Sequence, residues 1–224
     1  MKNLTLYVFN SCPFCTRVRA LIGLKKVSVN IQPIVAGQFP IHLKQQLDQA
    51  TVPVLEIDKG EKHIQDSTAI VEYLDKLDTP LFSEHKISAE LTDWLNNNRS
   101  LLNQLYYPRM PKLDLPELDD EKAKQYFISS RESILGKTLS EALNDTEQLL
   151  QQVTAKLKQL QQILKLDQFS IDTLTLDQLV AFSELHMLTS VGLKQLPIEI
   201  QNFIHQMSIA TGIRAYAEIS GGQK

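Results

Sequence analysis

Residues 4–24 read LTLYVFNSCPFCTRVRALIGL, and the order of residue types within them decides the fold of the first part of the chain. LTLYVF (4–9) is a short apolar run of strand-forming residues, the pattern of a strand buried on both faces. From Val18 onward the apolar residues, Val18, Leu21, Ile22 and Leu24, fall at helical spacing. The two cysteines of SCPFC (11–15) therefore sit where a strand turns into a helix. Pro13 suits the first helical position, because the N–H it lacks would have no intrahelical partner there.

That position has a chemical consequence. The thiolate is the nucleophile of disulfide exchange, and a free cysteine has a pKa of about 8.5. Unpaired N–H groups and the positive end of the dipole at a helix N-terminus stabilise the thiolate. Cys12 is thus expected to be the exposed attacking sulfur. Cys15 lies one turn inside the helix on the same side, where it can attack a mixed disulfide formed on Cys12. Arg17 and Arg19 either add positive charge to this site or point to solvent. A C-x-x-C pair is also half of a zinc site, but zinc would need two further ligands. There is no third cysteine, and the five histidines (42, 63, 85, 186 and 205) show no ligand spacing, so no metal is expected. So close a pair closes almost no loop, and its oxidation would add little stability. The pair points to chemistry rather than stapling.

A length of 224 residues suits two compact domains. Apolar residues at 43% and charged residues at 22% are ordinary for a globular chain. A net charge of −3 with scattered Lys and Arg argues against a nucleic-acid partner. No 18-residue apolar stretch predicts a membrane span. The N-terminus MKNLTLYVFNSCPFC lacks the long apolar region and cleavage site of a signal peptide. A cytoplasmic, reducing location is therefore expected.

Further strands are expected at 29–35 (VNIQPIV), at 51–58 (TVPVLEID) and, after the Asp58-Lys59-Gly60 turn, at 61–65. A helix follows from Ser67, with Ile70, Val71, Tyr73 and Leu74 as its inner face. This β-α-β, β-β-α order predicts an α/β thioredoxin-like N-terminal domain over 1–76, with helices on both faces of the sheet. KLDTPLFSEHK (76–86) breaks the periodicity, and 77–87 reads as a linker. An all-α domain is expected over 88–224, with helices near 88–107, 119–135, 139–165, 176–193 and 198–208. Thr138 with Glu141 and Thr175 with Gln178 carry capping-box signatures. The helix over 139–165 has an apolar stripe too broad for a coiled coil and reads as a packed core helix.

Two short elements point toward the cysteines. Thr51-Val52-Pro53 precedes a strand, and if Pro53 is cis the turn lays the Val52 backbone beside Cys12, ready to pair with an extended peptide. An ordinary proline at the start of a strand is the plain alternative. Asp66-Ser67 opens a helix: Ser67 offers a hydroxyl and N–H groups to a carboxylate, and Asp66 offers its charge to an ammonium. A routine N-cap explains the same two residues. Thiol, backbone edge and amino-acid clamp together match glutathione.

CPFC, TVP and DS occur in the order and approximate spacing of glutaredoxins and of glutathione-transferase N-terminal domains. DWLNNNRSLLNQLYYPRMPK (93–112), KAKQYFISSRES (122–133) and LTLDQLVAFSELHMLTSVGL (174–193) resemble the helical domain of the bacterial glutaredoxin 2 family, as does DSTAIVEYLDKLD (66–78) its N-terminal part. The resemblance covers most of the chain and implies a glutathione-transferase-like architecture, a monomer, and a glutathione-dependent thiol–disulfide oxidoreductase. It implies Cys12 as nucleophile and Cys15 as resolving thiol, with Phe14, Val52, Pro53, Asp66 and Ser67 joining Cys12 in glutathione binding. Glutathione is the reducing co-substrate, and glutathionylated or disulfide-bonded proteins are the partners. Three positions depart from the family pattern. Phe9 stands where many relatives have a tyrosine, and Gln178 where an aspartate is common. Ala50-Thr51 replaces a basic residue, leaving the ligand of glutathione's glycine carboxylate unassigned. Two other functions compete: a cysteine-type glutathione transferase, which needs no resolving thiol, and a non-enzymatic transferase-like interaction module, which needs neither cysteine.

Overall fold

The computed structural model describes residues 2–216. Strands β1 (Leu4–Val8), β2 (Asn30–Pro33), β3 (Val54–Ile57) and β4 (Lys62–Ile64) form one sheet in the order β2-β1-β3-β4. β1 pairs parallel with β2 and antiparallel with β3, and β3 pairs antiparallel with β4. Strand alternation gives the sheet two apolar faces. Leu4, Leu6, Val8, Leu55 and Ile57 join the main core, and helices α1 (Pro13–Lys25) and α3 (Ser67–Asp75) cover them. Tyr7 and Val54 point the other way and pack with Ile34 and with Leu43 of the one-turn helix α2 (Ile41–Lys44). The β1 expectation holds, with Leu4, Leu6, Tyr7 and Val8 all buried. β2 differs: as the edge strand its four residues are exposed, and only Ile34 beyond it is buried.

After β4 the described residues contain no strand. Helices α4 (Ala89–Tyr106), α5 (Glu121–Leu135), α6 (Leu139–Asn144), α7 (Thr146–Leu164), α8 (Leu176–Leu188) and α9 (Ile198–Thr211) follow. The chain therefore has a small mixed-sheet part followed by a helical part, the glutathione-transferase-like arrangement. Both expected capping boxes are present, at Thr138–Glu141 and Thr175–Gln178. The helix expected over 139–165 is two helices. Asp145 leaves helical geometry at ψ 1°, and the Thr146 hydroxyl donates to the Leu143 carbonyl at 2.6 Å, competing with the backbone ladder. The helix expected over 176–193 stops at Leu188, where the hydroxyls of Thr189 and Ser190 donate to the His186 and Met187 carbonyls. Gly192 then turns the chain at φ +106°. No described helix is long and apolar enough to cross a membrane.

The two parts meet along α1, which packs on α3 with one side and on α8 and α9 with the other. α8 is the central helix, buried over nearly its whole length. Contact with α9 is so close that a Cβ on Gly23 would lie 2.0 Å from the Thr211 carbonyl oxygen. The irregular stretch after α3 is held by Asp75, which is fully buried. Its carboxylate accepts from the Leu81 and Phe82 N–H groups at 2.9 and 3.1 Å and pairs with His85 at 2.9 Å and Lys25 at 3.1 Å.

Candidate thiol site

Cys12 is the N-cap of α1, with extended backbone (φ −111°, ψ 119°) and Pro13 following at the first helical position. Its side chain takes the role that a Ser or Asp oxygen usually fills at a cap: the Cys15 backbone N–H donates to Cys12 Sγ at 3.4 Å. Cys12 is partly exposed and Cys15 is fully buried. A hydrogen bond from the Cys15 thiol, aided by the Cys15 and Phe14 backbone N–H groups, holds the Cys12 thiol below its ordinary pKa, against burial and the charge of Glu184. Burial, followed by the hydrogen bond and charge of Cys12, pushes Cys15 well above its own. One sulfur is thus primed and accessible, and the other is protonated beneath it. The Phe9 N–H steadies Cys15 Sγ at 3.5 Å.

Of the other predicted residues, Phe14 and Val52 line the cavity beside Cys12, while Pro53, Asp66 and Ser67 are not part of that lining. The Val52–Pro53 peptide bond is cis, and the Val52 carbonyl oxygen lies 4.0 Å from Cys12 Sγ. The loop is braced by Gln65, whose amide donates to Gln49 O at 2.6 Å, Thr51 O at 3.1 Å and Thr51 Oγ1 at 2.9 Å. Asp66 caps α3 through the Ala69 N–H at 2.8 Å, so the routine cap reading of Asp66 is correct as structure, and its second carboxylate oxygen is not used in the cap. Ser67 is buried at the first position of α3, where its hydroxyl accepts from Arg17 Nη1 at 3.0 Å. Arg17 does not point to solvent: it is buried, and it also donates to Thr68 Oγ1 at 3.3 Å. Arg19 turns to Asn10 instead, at 2.8 Å.

The helical part contributes residues to this site that the sequence did not single out. Phe14, between the two cysteines, is flanked by the guanidinium groups of Arg17 and Arg99, 5.4 and 5.5 Å from its ring centre. Arg99 on α4 is held by buried Glu184 on α8 at 2.5 Å. Tyr106, Tyr107, Tyr126 and Arg131 face Cys12 and Phe14 across a cavity of about 360 Å³. Glu117, fully buried, accepts the Ser11 N–H at 2.6 Å, and the Tyr216 hydroxyl donates to the Asn10 carbonyl at 2.5 Å. The one available signal is a charge inside a mostly apolar helix: Glu184 lies in LVAFSELHML (179–188), where Ser183 and His186 are the other polar residues. The described residues hold no group of three or more His, Cys, Asp or Glu that could bind a metal ion.

The arrangement matches known proteins along nearly its whole length. The family described as glutathione S-transferase, N-terminal domain, matches residues 6–80. Glutaredoxin 2 of Escherichia coli K12 is 25% identical over 215 residues, covering 96% of this chain and 99% of that protein. The structure of glutaredoxin 2 from Salmonella typhimurium, in complex with glutathione, is 26% identical and superposes with a TM-score of 0.83 over 96% of this chain and 98% of the other. A glutathione S-transferase of Ceriporiopsis subvermispora, at 14% identity and a TM-score of 0.73 over 93% of this chain and 97% of its own, shares the fold. The helical half gives the specific match: the family described as glutaredoxin 2, C terminal domain, spans residues 90–220, more than half of the sequence, and the chain belongs to the glutaredoxin 2 family.

Proposed function

We propose that the chain reduces protein–glutathione mixed disulfides and protein disulfides, with Cys12 as nucleophile, Cys15 as resolving thiol and glutathione as electron donor. One observation carries the reading: a partly exposed Cys12 held below its ordinary pKa, with a second, buried and protonated sulfur supporting it from one turn inside the same helix. Cys12 thiolate attacks the glutathione sulfur of a glutathionylated protein. The protein thiolate leaves and takes up a proton, and Cys12 keeps the glutathione. A second glutathione thiolate attacks that sulfur, releasing oxidised glutathione and the Cys12 thiolate. On a protein disulfide, Cys15 displaces the substrate from Cys12, and two glutathione molecules reduce the resulting Cys12–Cys15 disulfide. A potential of roughly −200 to −230 mV, usual for glutaredoxins, suits that donor.

The glutathione of this cycle is bound at its cysteine by Cys12, with Phe14 alongside, and at its middle amide by the Val52 backbone before Pro53. Its γ-glutamyl end is bound by Asp66 and Ser67. Arg17, which holds the Ser67 hydroxyl, supports this clamp. The protein acts as a monomer in a reducing cytoplasm.

Replacing Cys12 with Ser abolishes both activities. Cys15→Ser largely spares deglutathionylation and removes disulfide reduction, because only the second route uses the resolving thiol. Equal loss of both in the Cys15 variant would overturn the roles assigned. The tyrosine-lined cavity beside Cys12 favours a second reading, conjugation of glutathione to small electrophiles. Measured beside mixed-disulfide reduction, a conjugation rate that dominates would select it.

A further inference from the structure

Cys15 raises a question of proton balance. Its sulfur is fully buried, and burial is the largest factor keeping the thiol protonated. When Cys12 enters a mixed disulfide its negative charge, which also holds the Cys15 proton, is gone. The burial remains. To attack, Cys15 must give up that proton, and its burial keeps bulk water from taking it.

Glu117 is suited to that task. It sits on the 3-10 turn Pro116–Leu118 of the helical part and is fully buried. Its Oε1 accepts the Ser11 N–H at 2.6 Å, and the Phe9 N–H, two residues earlier, donates to Cys15 Sγ at 3.5 Å. The carboxylate and the resolving sulfur are thus bound to one short turn, between β1 and α1. Glu117 Oε2 and Ser11 Oγ are both buried without a hydrogen-bond partner, and no ion pair reaches Glu117 among the described residues. A carboxylate buried with a free oxygen costs stability. The Glu117 charge is felt at Cys15, whose thiol it pushes up, and the other titratable or charged groups facing this turn are Cys12, Arg19 and Tyr216, with Asp114, His186 and Arg214 in the cavity that Asn10 and Arg19 line.

We propose that Glu117 is the proton acceptor for Cys15 in the resolving step, a role that rests on the dithiol mechanism above. The Cys15 S–H proton passes to the carboxylate, the Cys15 sulfur attacks Cys12 Sγ, and the Cys12–Cys15 bond forms as the bond from Cys12 to the substrate sulfur breaks. The substrate leaves as a thiolate, having gained the electron pair. When glutathione later reduces the Cys12–Cys15 disulfide, Glu117 returns the proton to Cys15. The helical part thereby supplies an acid–base group to the sheet part's thiols.

The test is single-turnover reaction of the reduced protein with a disulfide-bonded peptide, quenched in acid. Mass spectrometry then resolves the Cys12–peptide mixed disulfide from the Cys12–Cys15 disulfide. Glu117→Gln keeps an acceptor oxygen for the Ser11 N–H. It is expected to slow the resolving step at least tenfold more than the attacking step, in keeping with general-base effects of about 10²–10⁴. Its resolving rate is also expected to rise with hydroxide, about tenfold per pH unit, more steeply than in the wild type. Glu117→Asp, which draws the charge back by one methylene, is the second variant, and its ratio falls between the two. Equal slowing of both steps in the variants, or no slowing, would overturn the role of Glu117. A wild type that forms no Cys12–Cys15 disulfide would instead overturn the dithiol mechanism itself.

Discussion

Acid should loosen this protein at His186, and the size of the effect follows from the site. The ring is buried in α8, its Nε2–H donates to the Arg214 carbonyl at 2.8 Å, and it packs 4.7 Å from the Tyr216 ring. Burial lowers its pKa to about 4, with the Arg19 charge acting the same way against the pull of the Arg214 carbonyl. Nδ1 is buried without a partner, so a proton there would be a charge with nothing to bind. The folded pKa lies below the unfolded value of 6.5, so below pH 6.5 the unfolded chain holds more protons. Stability is then complete above about pH 6.5, is lost as pH falls toward about 4, and changes no further through this group below that. The gap, at roughly 1.4 kcal/mol per pH unit, sets a ceiling of about 3.4 kcal/mol, of which about 2.5 kcal/mol is lost between about pH 7.5 and about pH 4.5. Urea unfolding followed by circular dichroism across this range measures the loss. His186→Gln retains an N–H for the Arg214 carbonyl but cannot titrate. Its stability should therefore approach that of the wild type as pH falls, the difference shrinking by about 2.5 kcal/mol. A wild-type-minus-variant difference that stayed constant would refute the reasoning.

Other substitutions test the same structure. Gly23→Ala should cost about 1–3 kcal/mol or more, read as a lowered Tm, because its Cβ meets the Thr211 carbonyl at 2.0 Å and one of α1 and α9 must shift. Asp75→Asn leaves Lys25 and His85 without their buried anion and should cost about 3–5 kcal/mol by urea unfolding. Glu184→Gln removes a negative charge that pushes the Cys12 thiol up and leaves Arg17 and Arg99 nearby, so the Cys12 pKa should fall further, as followed by ultraviolet absorbance of the thiolate.

What could be read from the sequence alone was what short stretches of chain determine by themselves. A strand, a cysteine cap, a proline at the first helical position and a second cysteine one turn on lie within residues 4–15, and the thiol site follows from their order. The capping boxes at Thr138 and Thr175 and the cap at Asp66 are local in the same sense, since cap and partner are three residues apart. The break at Asp145 and the stop at Leu188 are not legible in the sequence, because hydroxyls of Thr146, Thr189 and Ser190 compete with the backbone inside continuous helical patterns. The electrostatic setting of the thiols was decided only by tertiary structure. The sequence leaves Arg17 either beside the thiols or in solvent, and the choice is made by Ser67, 50 positions away, which receives its guanidinium. Glu117 lies 106 residues from Ser11, and Tyr216 lies 206 residues from Asn10. Spacing carries no information about such pairs, because a charge is tolerated in the interior only where distant elements bring its partner, and that meeting is a property of how α1, α4 and α8 pack. Residues 4–24 determined that Cys12 would sit at the N-terminus of α1; the packing of the helical part against them decided which charges surround it.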